Sequence, residues 1–216
     1  RGRRGWSRDP DRELGPAGRR RGHDHPYDDQ QRHPVGGARV RVHSDRADDE
    51  LATGGTGEAY DSGIAMEAVK QMAAKGFVAA TVAYSNSSFG SCSAIGSKTK
   101  CIFNPSNSNS AVAKLCARAK ADCSKGIVTG GLSQGSVVSV LSRNYDSRIV
   151  ASYGQGAGNK YSIYDLTSCM NNGKHTQPSS NIRIANGEVD TFGGGNAASV
   201  RSSSQGVTGK SCGSSA

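Results

Sequence analysis

No stretch of the 216-residue sequence is apolar for long enough to cross a membrane as a helix, which takes about 18 consecutive apolar residues. The cysteines form no C-x-x-C pair and have no histidine at ligand spacing, which argues against a metal site. Aromatic residues make up only 6% of the chain, and they do not alternate with basic residues as in nucleic-acid binding surfaces. The sequence therefore favours neither a membrane span, nor a bound metal, nor a nucleic-acid partner.

Lysine and cysteine are both missing from residues 1–50, which hold 12 arginines, 10 of the 18 acidic residues and only 9 apolar residues. Residues 51–216 hold all 10 lysines, all 6 cysteines, 5 arginines and the other 8 acidic residues. The formal net charge of +9 thus divides into +2 (12 basic against 10 acidic) and +7 (15 against 8). The composition predicts a boundary near Leu51.

Residues 1–50 show no helical or strand period. They hold too little apolar area to offset the entropy lost on ordering. One interpretation is a disordered arm. The other is a segment not native to the domain, translated from a shifted reading frame, because Arg, Gly, Pro, Asp and His crowd together there.

An even number of cysteines without metal-ligand spacing predicts disulfides, and disulfides indicate a secreted or periplasmic protein. The six residues are Cys92, Cys101, Cys116, Cys123, Cys169 and Cys212. Their order favours pairing each cysteine with the next, as 92–101, 116–123 and 169–212. Six cysteines allow 15 arrangements, so the pairing stays open.

Apolar periodicity predicts alternating helices and strands after residue 53. In chain order these are a helix over 60–75, a strand over 77–84, a surface loop over 85–109, a helix from Ser110, a strand over 126–130, a helix over 134–143, and strands over 148–153 and 181–185. This alternation is typical of an α/β protein with a parallel sheet.

A G-x-S-x-G motif, Gly131-Leu132-Ser133-Gln134-Gly135, lies between a predicted strand and a predicted helix. A serine at such a sharp turn has strained backbone geometry, and Gly131 and Gly135 have no Cβ to collide with the neighbouring elements. The Ser133 Oγ then stands above the carboxyl edge of the sheet, near a helix N-terminus that favours developing negative charge.

Residues 53–192 resemble the α/β-hydrolase superfamily, in particular its secreted serine esterases, and the Gly-Leu-Ser-Gln-Gly sequence is similar to that of cutinases. The resemblance implies an α/β-hydrolase fold, a mostly parallel sheet with helices on both faces. It also implies hydrolysis of a small-molecule or polymeric carboxylic ester through an acyl-enzyme on Ser133, with no cofactor. Asp190 matches the catalytic acid, with Glu188 as fallback. The backbone N–H groups of Gln134 and Thr53 match the oxyanion hole.

The chain departs from the family pattern at both ends. No histidine or final helix is recognised after Asp190, where the family has both. His175 is the fallback candidate for the base, and we expect it to lie in a polar, exposed turn. The His-Gly that usually opens the oxyanion loop is missing before Gly54, and the first three strands of the family would fall within residues 1–50. We therefore expect a domain truncated at both ends that is inactive by itself.

Two other functions remain open from the sequence. A peptidase or acyltransferase could use the same fold and nucleophile, because the motif does not reveal what accepts the acyl group. A catalytically dead binding protein with a hydrolase fold would lack any pairing of acid and histidine at the site.

Overall fold

The computed structural model describes residues 39–43, 49–53, 55–57 and 59–211. Its strands are β1 (Arg39–His43), β2 (Asp49–Thr53), β3 (Val78–Ala83), β4 (Ile127–Leu132), β5 (Ile149–Gln155) and β6 (Ile182–Ala185). Its α-helices are α1 (Gly63–Ala74), α2 (Cys92–Phe103), α3 (Ala111–Cys116), α4 (Gln134–Leu141), α5 (Thr167–Met170) and α6 (Ala197–Thr208). The helices and strands predicted between residues 60 and 185 are confirmed, with bounds shifted by a few residues.

The six strands form one sheet in the order β1-β3-β2-β4-β5-β6. β1 is antiparallel to β3, and all other neighbours are parallel. Thr53, the last residue of β2, lies opposite Gly131 of β4. Because the parallel strands share one direction, the loops that follow β2, β4, β5 and β6 meet at one edge of the sheet.

Helices cover both faces of the sheet, as β3 shows by its alternating side chains. Val78, Ala80 and Val82 belong to the larger apolar cluster, which also contains residues of α2, α3 and α4. Ala79 points the other way and packs against Val69 of α1. The architecture is therefore α/β, with a mostly parallel sheet between helical layers.

The sheet extends upstream of Thr53, contrary to expectation. β1 and the start of β2 lie within residues 1–50, so the prediction of a segment without a strand period is wrong there. The sequence of β1, Arg-Val-Arg-Val-His, does alternate apolar and polar residues, but it is short and surrounded by charge. Residues 1–38 and 44–48 lie outside the described part, so their interpretation stays a prediction.

The loop predicted over 85–109 is wrong in its centre, where α2 forms. Ser91 caps its N-terminus, with its hydroxyl accepting from the Ala94 N–H at 3.4 Å. Ile95, Thr99 and Ile102 are buried at helical spacing. Scattered Ser, Gly and Lys hid this period, which tertiary packing supports.

One of the three expected disulfides is confirmed. Cys116 pairs with Cys123, but Cys92 pairs with Cys169 of α5, across 77 residues of sequence. The expected pairs 92–101 and 169–212 are therefore wrong. Cys92 and Cys101 both belong to α2, nine positions apart, so they cannot meet. Cys101 is an exposed free thiol, and Cys212 lies outside the described residues.

The expectation that no helix follows Asp190 is also wrong, because α6 begins at Ala197. The Asn196 side chain caps it, accepting from the Ser199 N–H at 3.0 Å. Its buried residues are Val200, Ser203 and Val207. The segment has few apolar residues, so no apolar run marks the helix in the sequence.

Candidate active site

Ser133 occupies a strained turn between β4 and α4. Its φ of 51° and ψ of −115° make it the one non-glycine residue in the described part of the chain with positive φ. Such a conformation costs of order 1–3 kcal/mol and persists only where the surrounding structure enforces it. The turn places the serine between a strand and the helix that follows it, at the carboxyl edge of the sheet. Gly131 and Gly135 flank it, and neither has positive φ.

The end of β5 packs closely behind this turn. A Cβ on Gly154 would lie 2.8 Å from the Ala157 Cβ and 3.1 Å from the Ser136 Cβ, so only glycine fits there. Gly156 follows with φ of 72°. The Tyr161 hydroxyl donates to the Gly156 carbonyl at 2.9 Å, and burial raises the pKa of this tyrosine. Two glycines, Gly154 and Gly156, and the Tyr161 hydroxyl thus pack behind the serine turn.

The two expected oxyanion donors lie on neighbouring elements. Gln134 is the first residue of α4. Thr53 ends β2, opposite Gly131 in the parallel register. Both backbone positions therefore lie at the edge where Ser133 stands.

No pattern in the sequence indicates a separate role for the Gln134 side chain. It is completely buried. Its Nε2 donates to the Thr56 Oγ1 at 3.0 Å and to the Ser88 carbonyl at 2.8 Å. Its Oε1 accepts from the Lys98 Nζ at 3.2 Å, and burial lowers the pKa of Lys98. These partners are 36 to 78 residues away in sequence, so no local pattern could have predicted them.

Asn86 holds the same region from the loop after β3. Its Nδ2 donates to the Gly55 carbonyl at 2.8 Å, and its carbonyl accepts from the Gly57 N–H at 3.0 Å. Residues 55–57 are called the glycine loop below. The carbonyl of its first residue and the N–H of its last residue are thus both bonded to Asn86. The glycine loop begins two residues after Thr53, the last residue of β2.

Of the two candidate carboxylates, Asp190 is the one that lies beside the serine turn. Asp190 is half-buried and lines a cavity of about 260 Å³ with Leu132, Gln155 and Gly156, which lie beside the serine turn. The Asp190 carboxylate accepts from the Phe192 N–H at 2.9 Å, which fixes its direction. The Glu188 carboxylate is exposed and lies 3.7 Å from the Arg201 guanidinium.

His175 is not brought to Ser133, and it is not the exposed residue that the sequence predicted. It is buried, and its Nε2 lies 2.8 Å from the Val207 carbonyl oxygen. The adjacent Thr176 bonds to Asn144, which follows α4. Ser133 precedes the same helix. Ser133 and Asn144 therefore lie at opposite ends of α4, about 15 Å apart at 1.5 Å per residue. Burial of this histidine depends on α6, which the sequence did not predict.

His43 is the other histidine in the described part. It lies in β1 opposite Ala79, near the start of β3, and so away from the carboxyl edge. The described residues therefore place a serine and a carboxylate at this edge, without a histidine.

Solved structures similar to this chain include three proteins of larger size. They are DcsB in complex with its substrate analogue (14% identity, TM-score 0.44), the α/β hydrolase GrgF from Penicillium sp. sh18 (12%, 0.41) and an epoxide hydrolase from an endophytic Streptomyces (14%, 0.38). The matches cover 57%, 57% and 58% of this chain, and 41%, 48% and 39% of those proteins. This chain thus spans less than half the length of each. No protein-family model and no curated protein matches the sequence.

The class of the fold follows from the chain's own geometry. A mostly parallel sheet, helices on both faces and a serine in a strained strand-to-helix turn define an α/β-hydrolase fold. Among the described residues, no helix is long and apolar enough to cross a membrane.

Proposed function

We propose that this protein hydrolyses carboxylic esters through an acyl-enzyme on Ser133. The observation that carries the proposal is the positive φ of Ser133 at the carboxyl edge of the sheet. Strained backbone of this kind is concentrated at functional sites. The Asp190 carboxylate beside the same turn supports a triad rather than a structural turn.

In the proposed reaction the Ser133 Oγ attacks the ester carbonyl carbon while its proton passes to a base. The backbone N–H groups of Gln134 and Thr53 donate to the oxyanion that forms, each worth ~3 kcal/mol in comparable sites. The intermediate collapses, and the alcohol leaves with the proton from the base. Water then attacks the acyl group and regenerates the serine.

The base in this scheme is an imidazole held by the Asp190 carboxylate, which fixes the tautomer and stabilises the imidazolium. Neither His43 nor His175 lies at the site, so the proposal assigns the base to a histidine outside the described residues. An unassisted serine hydroxyl is a weak nucleophile. We therefore expect turnover to rise when imidazole is added as a second source of base.

We further propose that the protein works in an oxidising compartment, outside the cell or in the periplasm. The support is the pair of disulfides, Cys92–Cys169 and Cys116–Cys123. Such bonds are rare in reducing compartments.

Imidazole added to the buffer tests the proposed reaction, because it can act as the base that takes the proton of the serine. Hydrolysis of p-nitrophenyl butyrate should rise with imidazole in the parent chain more than in Ser133→Ala, whose rate gives the reaction of imidazole alone. Fluorophosphonate labelling followed by peptide mapping should then find Ser133 modified. Equal rates in both chains, or labelling at another serine, would refute the assignment.

The same assay separates esterase from peptidase activity. A matched peptide p-nitroanilide offers the enzyme an amide instead of an ester. We expect Ser133-dependent turnover of the ester alone. Faster turnover of the anilide would favour a peptidase.

A further inference from the structure

Three separate segments meet at the side chain of Gln134. They are the glycine loop through Thr56, the loop after β3 through Ser88, and helix α2 through Lys98. Lys98 also donates directly to the Ser88 carbonyl. A buried amide that satisfies donors and acceptors on three segments fixes their relative positions, since each lost bond would leave a polar group unpaired.

The chemistry of the partners determines which way the amide points. An ammonium group such as that of Lys98 can only donate, so it must face the Oε1 of Gln134. The Ser88 carbonyl can only accept, so it must face the Nε2. A carboxylate in place of the amide would oppose the carbonyl oxygen, although glutamate has nearly the same shape.

We propose that Gln134 is a positioning residue for the oxyanion hole, in addition to supplying one of its donors. Its side chain bonds to Thr56 of the glycine loop, and this loop begins two residues after Thr53, which ends β2. One residue thereby ties its own N–H to the segment that follows the second donor. This inference rests on the proposed function.

Two variants test the inference by different routes. Gln134→Glu keeps the backbone N–H and the side-chain volume but removes the Nε2 donor. Thr56→Val removes the acceptor Oγ1 from an exposed residue and leaves Gln134 itself unchanged. It therefore remains informative if the first variant does not fold. Gln177→Glu is the matched control: Gln177 is equally buried, but its Nε2 donates to Val150 at the start of β5, away from the site.

The readouts are imidazole-supported ester turnover and hydrogen exchange of the native chain. Thr56→Val should lower kcat about threefold to tenfold, the value of one hydrogen bond, with KM unchanged because ground-state binding does not use the oxyanion. Gln134→Glu should lower kcat further. Both should speed amide exchange in peptides covering 55–57, and Gln134→Glu also in those covering 86–88, while Gln177→Glu should change neither readout.

Each outcome decides one question. If the parent shows no Ser133-dependent turnover, the proposed function is wrong and this inference falls with it. If the parent is active but Gln134→Glu or Thr56→Val, when folded, retains the kcat and exchange of the parent, only the inference is overturned. A fall in kcat no larger than that of Gln177→Glu would also overturn it, because it would show a general loss of stability.

Discussion

The amide nitrogen of Ser133 donates to the carbonyl oxygen of Gln155 at 2.7 Å, which ties the serine turn to the end of β5. The next residue, Gly156, donates in turn to the Ala185 carbonyl at the end of β6, at 3.0 Å. Backbone bonds therefore link the serine to the strand that leads into Asp190. The strained turn and the strand before Asp190 are parts of one hydrogen-bonded edge.

Replacing Ser133 by glycine should raise the stability of the fold, because glycine adopts a φ of 51° without a clash. Relief of the strain stabilises the folded state, and the higher entropy of glycine in the unfolded chain offsets part of this gain. The Ser133→Gly chain should therefore be more stable than Ser133→Ala by about 1 kcal/mol in free energy of unfolding. Urea unfolding of the three chains measures the difference. A Ser133→Gly chain that is less stable than Ser133→Ala would show that the turn is unstrained.

His175→Ala should leave imidazole-supported ester turnover unchanged while lowering the free energy of unfolding. The ring is buried and its Nε2 bonds to Val207, so its loss removes packing far from the serine. Steady-state kinetics and urea unfolding of the same preparation give both values. Turnover that disappears at unchanged stability would mean that His175 reaches the site in solution.

Reduction of the two disulfides should affect stability unequally. In the chain-entropy description, a bond closing 77 residues contributes about 4 kcal/mol and one closing 7 residues about 2 kcal/mol. Cys92→Ser/Cys169→Ser should therefore destabilise more than Cys116→Ser/Cys123→Ser in urea unfolding. Equal losses would contradict this ranking.

Peptide mapping without reductant should recover the pairs 92–169 and 116–123, with Cys101 open to alkylation. A 92–101 linkage would contradict the placement of both cysteines on α2. For the unfolding comparison, circular dichroism of Cys92→Ser/Cys169→Ser and Cys116→Ser/Cys123→Ser provides the control that both variants fold.

Tyr161→Phe should destabilise the fold by roughly 1–3 kcal/mol near neutral pH, because it leaves the half-buried Gly156 carbonyl and the buried Gly158 N–H without the hydroxyl. Burial raises the pKa of Tyr161 in the folded state above its ordinary value of 10.0. The folded protein therefore keeps a proton that the unfolded chain loses, and stability falls as pH rises above 10.

The difference between the parent and Tyr161→Phe should accordingly shrink above pH 10, since the variant lacks this ionisation. Unfolding at a series of pH values from 7 to 11 provides the measurement, and the other tyrosines cancel because both chains contain them. A constant difference across that range would show that Tyr161 ionises alike in both states.

Local patterns in the sequence determined the class of fold and the position of the serine turn. The apolar runs of β3, β4 and β5 and the Gly-Leu-Ser-Gln-Gly turn carry their information within a few neighbouring residues. Ser110 as a helix cap and the pair Cys116–Cys123 were predictable for the same reason, since both are short-range features.

Only the tertiary structure decided which distant residues share the site. α2 depends on burial of Ile95 and Ile102 against the sheet, and the partner of Cys92 lies 77 residues away. The bonds from Gln134 to Thr56 and Lys98 join segments with no local relation. His175 became a core residue only through its contact with α6. A hydrogen bond or a buried contact depends on distance in space, and chain folding sets that distance independently of separation in sequence.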